Sequence, residues 1–312
     1  MTNYFRAATP LLLIVGLSIS LPGFAQDIDI AIVGGTSFGY PPDFGKDLVE
    51  IERTFTVTTD VGESPPIYQM NYSGKSFYYI QMHGGENRPV EEADGWHFVR
   101  TWAALHKLGV KFAFGGATCG GIDPAYEIGD MIVAHDMIIL NSHRPQNMLR
   151  ASGISRPGIF PNFEQPFSVE LRKLLIDIAN AKYPGRVYES GVMMQDDPGR
   201  FETPAEIRMM RIMGADHVSH NVVTEATYAR QLGIHFAALN SISNPANGVR
   251  PYEYEDMQNG VQQIAAYAVP IVLEAVLRID DIRDEIDPDS AGKSYEGTYT
   301  NPAANSGGKA KE

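Results

Sequence analysis

Residues 196–247 read DDPGRFETPAEIRMMRIMGADHVSHNVVTEATYARQLGIHFAALNSISNPAN. Pro198-Gly199 marks a turn. Thr203-Pro204 with Glu206 has the Thr-x-x-Glu spacing of a capping box, with proline at the first helical position. That spacing predicts a helix ending at Gly214-Ala215-Asp216, a second helix over roughly 224–232 closed by Gly233, and then an apolar strand over 234–239. The exit of the strand carries Ser241, Ser243, Asn244 and Asn247. Small polar side chains at the carboxyl end of a buried strand are where open α/β sheets bind ligands, so one stretch points to both the fold class and the site.

The flanking sequence follows the same pattern. A short apolar strand over 28–33 runs into Gly34-Gly35-Thr36-Ser37-Phe38, a turn able to offer backbone N–H groups and a hydroxyl to an anion. A strand over 77–81 precedes Met82-His83-Gly84-Gly85, an amphipathic helix spans 95–108, and a strand over 112–114 enters the small-residue turn Gly115–Gly121. A long amphipathic stretch over 256–277 reads as a helix packed on the sheet. Apolar runs that alternate with amphipathic segments indicate α/β architecture.

The ends of the chain read differently. Residues 1–25 have the layout of a signal peptide: Arg6, an apolar run over 11–21, and Gly23-Phe24-Ala25 before Gln26. The run is shorter than the ~20 residues that span a bilayer. An exported, periplasmic protein is therefore expected. Residues 26–286 form one domain, and 287–312, without apolar periodicity, read as a disordered tail. A net charge of −13 argues against nucleic acid or an anionic membrane as partner. The single cysteine, Cys119, rules out an intramolecular disulfide, and with no base identifiable beside it, it reads as inert.

The 196–247 stretch resembles the purine nucleoside phosphorylase and methylthioadenosine phosphorylase family. The resemblance rests on Gly199-Arg200-Phe201-Glu202-Thr203, Ala205-Glu206, Gly214-Ala215-Asp216, Glu225, Ala229-Arg230, Gly233-Ile234 and Ser243-Asn244. It implies a single-domain twisted mixed β-sheet flanked by helices, a homotrimer, a small purine nucleoside as substrate, phosphate as co-substrate, and neither cofactor nor metal. Carried over residue by residue, it implies that Asn244 and His83 serve catalysis. Thr36, His83, Ala117, Thr118 and Asn221 would hold phosphate, Phe201, Glu202, Ser243 and Asn244 the base, and His220 the sugar. Phe160, with Phe163 as the fallback, would reach a neighbouring subunit's site. Asn244 beside Glu202 implies a 6-oxopurine.

The chain also departs from the family pattern. Met82 and Gly85 stand where the family's Arg-His-Gly-Arg has arginines, the order of Ala117-Thr118 is reversed, and His220-Asn221 replaces Met-Thr or Met-Ser. Arginine clamps phosphate with a bidentate, permanent charge that methionine lacks. Arg88 and Arg144 are the candidate substitutes, and Met82→Arg is expected to strengthen phosphate dependence. Three readings follow: phosphorolysis, hydrolysis by the same purine-side residues, and nucleoside binding without catalysis. The leader gives a direct test. The N-terminus of protein recovered from the periplasm, read by mass spectrometry, should be Gln26, whereas an intact residue 1 refutes the leader.

Overall fold

The computed structural model describes residues 28–39, 41, 43–82, 95–154, 161–196, 199–288 and 290–292. The leader over 1–25, His83, Arg88, Phe160 and residues 293–312 lie outside the described residues.

In chain order, the first half comprises β1 (Ile30–Gly34), β2 (Glu50–Phe55), β3 (Thr58–Thr59), β4 (Gly62–Glu63), β5 (Ile67–Tyr72), β6 (Lys75–Gln81), α1 (Trp96–Lys107), β7 (Phe112–Gly115), β8 (Thr118–Gly121), β9 (Met131–Val133) and β10 (Asp136–Ile139). The second half comprises α2 (Met148–Ser152), α3 (Val169–Lys182), β11 (Val187–Tyr188), β12 (Val192–Gln195), α4 (Pro204–Ile212), β13 (His217–Ser219), α5 (Val222–Leu232), β14 (His235–Pro245) and α6 (Tyr254–Ile282). Ser290–Gly292 add a 3₁₀ turn with Ala291 buried, so the chain stays packed beyond the domain end expected at residue 286.

Among the described residues the main sheet has 12 strands, ordered β10-β12-β13-β8-β14-β7-β1-β6-β5-β2, with β9 on β14 and β11 on β9. It is mixed. Strands β14, β7, β1 and β6 run parallel, whereas β14 with β9, β8 with β13, and β5 with both its neighbours are antiparallel. One apolar cluster, containing Phe98, Trp102, Val223 and Tyr228, seats α1 and α5 on one face. The other, containing Leu171, Leu175, Ile264 and Val272, seats α3 and α6 on the opposite face. Helix α6 is long and apolar enough to cross a membrane by length and composition, but its apolar face is buried against the sheet.

Strand β14 is covered on both faces and all 11 of its residues are buried. The apolar pattern predicts a strand that ends at Leu239; the observed strand runs on to Pro245. Its polar second half stays extended because its backbone groups pair on both edges, with β8 on one side and β9 on the other. For the same reason Thr118–Gly121, which reads as part of a turn, is a strand in parallel register with Ser241–Pro245. Gly116, in the link from β7 to β8, permits the chain's close approach to β14, since a Cβ there would lie 2.3 Å from the Leu239 carbonyl oxygen.

Met82 is 0% exposed and belongs to the apolar cluster that contains Phe98 and Trp102. Arginine at this position would bury its guanidinium among apolar side chains. The expectation that Met82→Arg strengthens a phosphate site is therefore replaced by a stability cost. Denaturant titration of Met82→Arg should show a loss of about 3 kcal/mol or more, the scale of an uncompensated buried charge. An unchanged midpoint would show that the arginine reaches polar surroundings.

Candidate active site

The carboxyl end of β14 opens onto a cavity of about 170 Å³. Its walls bring together Thr118 from β8, Phe201 and Glu202 from the loop before α4, Ser219 and His220 from the exit of β13, Ser243 and Asn244 from β14, and Met257 and Val261 from α6. Six of the residues singled out in the sequence thus converge: Thr118, Phe201, Glu202, His220, Ser243 and Asn244.

Ser243 and Asn244 are consecutive strand residues, and regular alternation would point them to opposite faces. A register shift between Ile242 and Asn244 against β8 breaks that alternation, and both residues line the cavity. The Ser243 hydroxyl donates to Asn244 Oδ1 at 2.8 Å, and Asn244 Nδ2 donates to the Pro245 carbonyl at 2.9 Å. The amide is held in place while its edge stays beside the cavity.

Glu202 is set by its neighbours in sequence. The predicted capping box is present: Thr203 accepts from the Glu206 amide, and Glu206 accepts from the Thr203 amide at 2.7 Å. Arg200 grips the Glu206 carboxylate with both terminal nitrogens, at 2.9 and 2.8 Å, and with the Thr203 contacts holds its pKa down to about 2. Asn247 Nδ2 donates to the Glu202 carbonyl at 2.9 Å. The backbone of Glu202 is thereby fixed at the start of α4, while its side chain is buried with Oε1 lacking a partner among the described residues. Burial raises its pKa, opposed by its own backbone N–H and by the nearby His220. Phe201 stands at the mouth, 54% exposed.

Other residues singled out from the sequence lie elsewhere. Ala117 is 0% exposed within the apolar core and offers no side-chain donor, so it is set aside as a phosphate ligand. Asn221 is buried behind the cavity wall, and its amide donates to Glu225 Oε1 at 2.9 Å. Thr36 lies in the turn after β1 and is not among the cavity-lining residues. Cys119 is 1% exposed, and burial pushes its thiol pKa up, which leaves no thiolate for chemistry.

A wider cleft of about 690 Å³ lies beside Tyr188 and Tyr252. Its charged groups largely satisfy each other, Arg250 with Glu127 at 2.6 Å and Arg186 with Asp130 at 3.4 Å. The smaller cavity, by contrast, is lined by Glu202, whose buried Oε1 has no protein partner among the described residues.

The profile of the phosphorylase superfamily matches residues 29–278. The chain belongs to that superfamily. Among curated phosphorylases, it is 26% identical to a probable S-methyl-5'-thioinosine phosphorylase of Methanothermobacter thermautotrophicus, over 71% of this chain and 73% of that protein. It is also 26% identical to a probable 6-oxopurine nucleoside phosphorylase of Moorella thermoacetica, over 79% of this chain and 92% of that protein. Methylthioadenosine phosphorylase from Schistosoma mansoni, solved with adenine, shares the fold with a TM-score of 0.70 at 20% identity, covering 85% of this chain and 96% of its own.

One buried group of this phosphorylase carries the family resemblance but is given no function by the sequence. Glu225 is fully buried on α5; Oε1 accepts from Asn221, and Oε2 has no partner among the described residues. Burial raises its pKa from 4.5 to about 7, against the lowering effects of Asn221 and Arg144. Met257 and Val261 were likewise not singled out, although their i, i+4 spacing puts both on one side of α6.

Glu225 gives a pH-dependent stability term. Between about pH 4.5 and 7 the folded chain keeps a proton that the unfolded chain has released, so stability falls as pH rises through that interval and levels off above it. Glu225→Gln keeps an acceptor for Asn221 and removes the titration. Relative to the parent, it should gain about 2 kcal/mol between pH 5 and pH 8 at ~1.4 kcal/mol per unit, read from denaturant midpoints. A constant difference across that range would contradict the assignment.

Proposed function

We propose that this chain cleaves the N-glycosidic bond of a 6-oxopurine nucleoside by transferring its pentosyl group to phosphate. The observation that carries the reading is the meeting of Glu202, its Oε1 buried without a protein partner, with Asn244 in one cavity below an exposed Phe201. In this reading Phe201 stacks on the purine, the Glu202 carboxylate accepts from N1–H, and Asn244 gives its amide hydrogen to N7. The C1′–N9 bond breaks with its electron pair moving to the purine, and a phosphate oxygen forms the new bond to C1′. Asn244 acts where negative charge gathers on the leaving base, so its hydrogen bond is stronger in the transition state than in the bound substrate. Met257 and Val261 give the remaining wall an apolar surface, which suits a 5′-methylthio group.

On the phosphate side, Thr36, His83 and Thr118 remain the proposed donors. Asn221 is engaged with Glu225, and Met82 packs in the core. These two observations favour weak phosphate binding, and water as nucleophile is the second reading. We also propose an exported homotrimer in which Phe160 completes the neighbouring site. Full activity from a monomer in sedimentation would remove that role from Phe160.

Base release from inosine, followed with and without phosphate, tests the reaction. Phosphate-dependent release with ribose 1-phosphate as product is expected. Free ribose at an unchanged rate without phosphate would establish hydrolysis, and no release from inosine or 5′-methylthioinosine would refute catalysis. Purine specificity gives a second test. Asn244→Asp should lower the ratio of kcat/KM for inosine over adenosine by about tenfold or more, because a protonated carboxyl donates to N7 and accepts from the 6-amino group. A wild-type enzyme that prefers adenosine would contradict the roles of Asn244 and Glu202.

A further inference from the structure

The dipeptide Asn-Gly occurs twice in the sequence, and the fold treats the two copies in opposite ways. Asn259-Gly260 lies inside α6, where Gly260 is buried and its backbone N–H belongs to the helix ladder. Asn247-Gly248 lies in the turn after β14, with Gly248 exposed at φ +86°. The Gly248 N–H has no acceptor among the described residues, and without a Cβ its nitrogen is open to approach from the neighbouring side-chain amide. Asn247 is also part of the cavity wall. Its Nδ2 donates to the Glu202 carbonyl at 2.9 Å, and its Oδ1 accepts from the Tyr252 hydroxyl at 3.4 Å. The turn abuts the start of α4, since a Cβ on Gly248 would lie 2.6 Å from Pro204 Cβ.

We infer that Asn247 is a deamidation site, and that its conversion to aspartate or isoaspartate releases the hold on Glu202. The Gly248 nitrogen attacks the Asn247 side-chain carbon and closes a cyclic imide. The bond from that carbon to Nδ2 breaks, and Nδ2 leaves as ammonia with the proton that Gly248 gives up. Water then opens the imide. Cleavage at the side-chain carbonyl gives aspartate, and cleavage at the backbone carbonyl gives isoaspartate, with the main chain routed through the side chain. Either product carries a carboxylate, which can only accept. It would face the Glu202 carbonyl oxygen, so repulsion replaces the hydrogen bond that fixes the backbone of Glu202. The effect on Glu202 rests on the nucleoside reading above, whereas the modification itself does not.

The test holds the folded full-length protein at mildly alkaline pH in oxygen-labelled water and reads both Asn-Gly peptides by mass spectrometry after digestion. Label dates the conversion to the folded protein rather than to the digest. It should enter at Asn247 while Asn259 stays an amide. Equal conversion at the two positions, or none at Asn247, overturns the inference. Kinetics of Asn247→Asp and of aged wild type then read the effect on Glu202. The ratio of kcat/KM for inosine over adenosine should fall by about threefold or more in both, because adenine has no N1–H for Glu202 to accept from. Asn247→Gln closes a larger ring more slowly, so on ageing it should keep its own starting ratio. A merely structural role would lower activity on both nucleosides together, and an unchanged ratio in Asn247→Asp overturns the link to Glu202. Base release from neither nucleoside by fresh wild type refutes the nucleoside reading instead, and the mass spectrum still decides the modification.

Discussion

The structure depends on a strand that is buried on both faces and must pair every backbone group along its length. Strand β14 runs 11 residues between α5 on one side and α3 and α6 on the other, with no solvent on either face to satisfy a loose N–H or carbonyl. β7 and β8, nearly continuous across Gly116 and Ala117, run along one of its edges, and β9 takes part of the other. Because the strand cannot fray, Ser243 and Asn244 reach the cavity on a rigid element. The single place where the register slips is the place where both side chains turn toward the cavity. Sites built on strands hold their geometry better than sites on loops, and here the irregularity itself supplies the aim.

Around this strand, polar groups are deployed in two ways. Ser243, Asn244, Ser219 and Asn247 are hydrogen-bonded to one another or to nearby backbone, which holds the wall of the cavity in shape. Among the cavity-lining residues Glu202 is the exception, with its backbone tied down by Asn247 and the α4 capping box while a buried carboxyl oxygen lacks a protein partner among the described residues. A buried acceptor without a donor costs free energy, and a ligand N–H relieves that cost. The same logic sets the cavity apart from the wider cleft, where Arg250 and Arg186 already meet their carboxylates.

What the sequence shows of this arrangement follows the range of the interactions involved. The capping box at Thr203 and Glu206, the αL residue Gly233 and the helix over 222–232 are local, and each is legible from adjacent residues. The length of β14 is not, because Asn240, Ser241 and Ser243 look like loop residues until pairing with β8 and β9 is known. Thr118–Gly121 misreads as a turn for the same reason. Side-chain direction is still less visible. Ala117 and Met82 turn into the core, and Asn221 turns to Glu225, through packing that no spacing rule encodes. The convergence of Phe201, Glu202, His220 and Asn244 is legible only through resemblance to a family, since more than forty positions separate the first of them from the last.

The central claim is that a 6-oxopurine ring sits under Phe201 with its edges read by Glu202 and Asn244. A crystal structure of the protein with hypoxanthine bound tests it most directly. The account predicts the base in the cavity at the end of β14, with N1 at hydrogen-bond distance from the Glu202 carboxylate and N7 facing the Asn244 amide. Hypoxanthine in the cleft between Arg186 and Arg250, or in the cavity with both edges turned from Glu202 and Asn244, would contradict it.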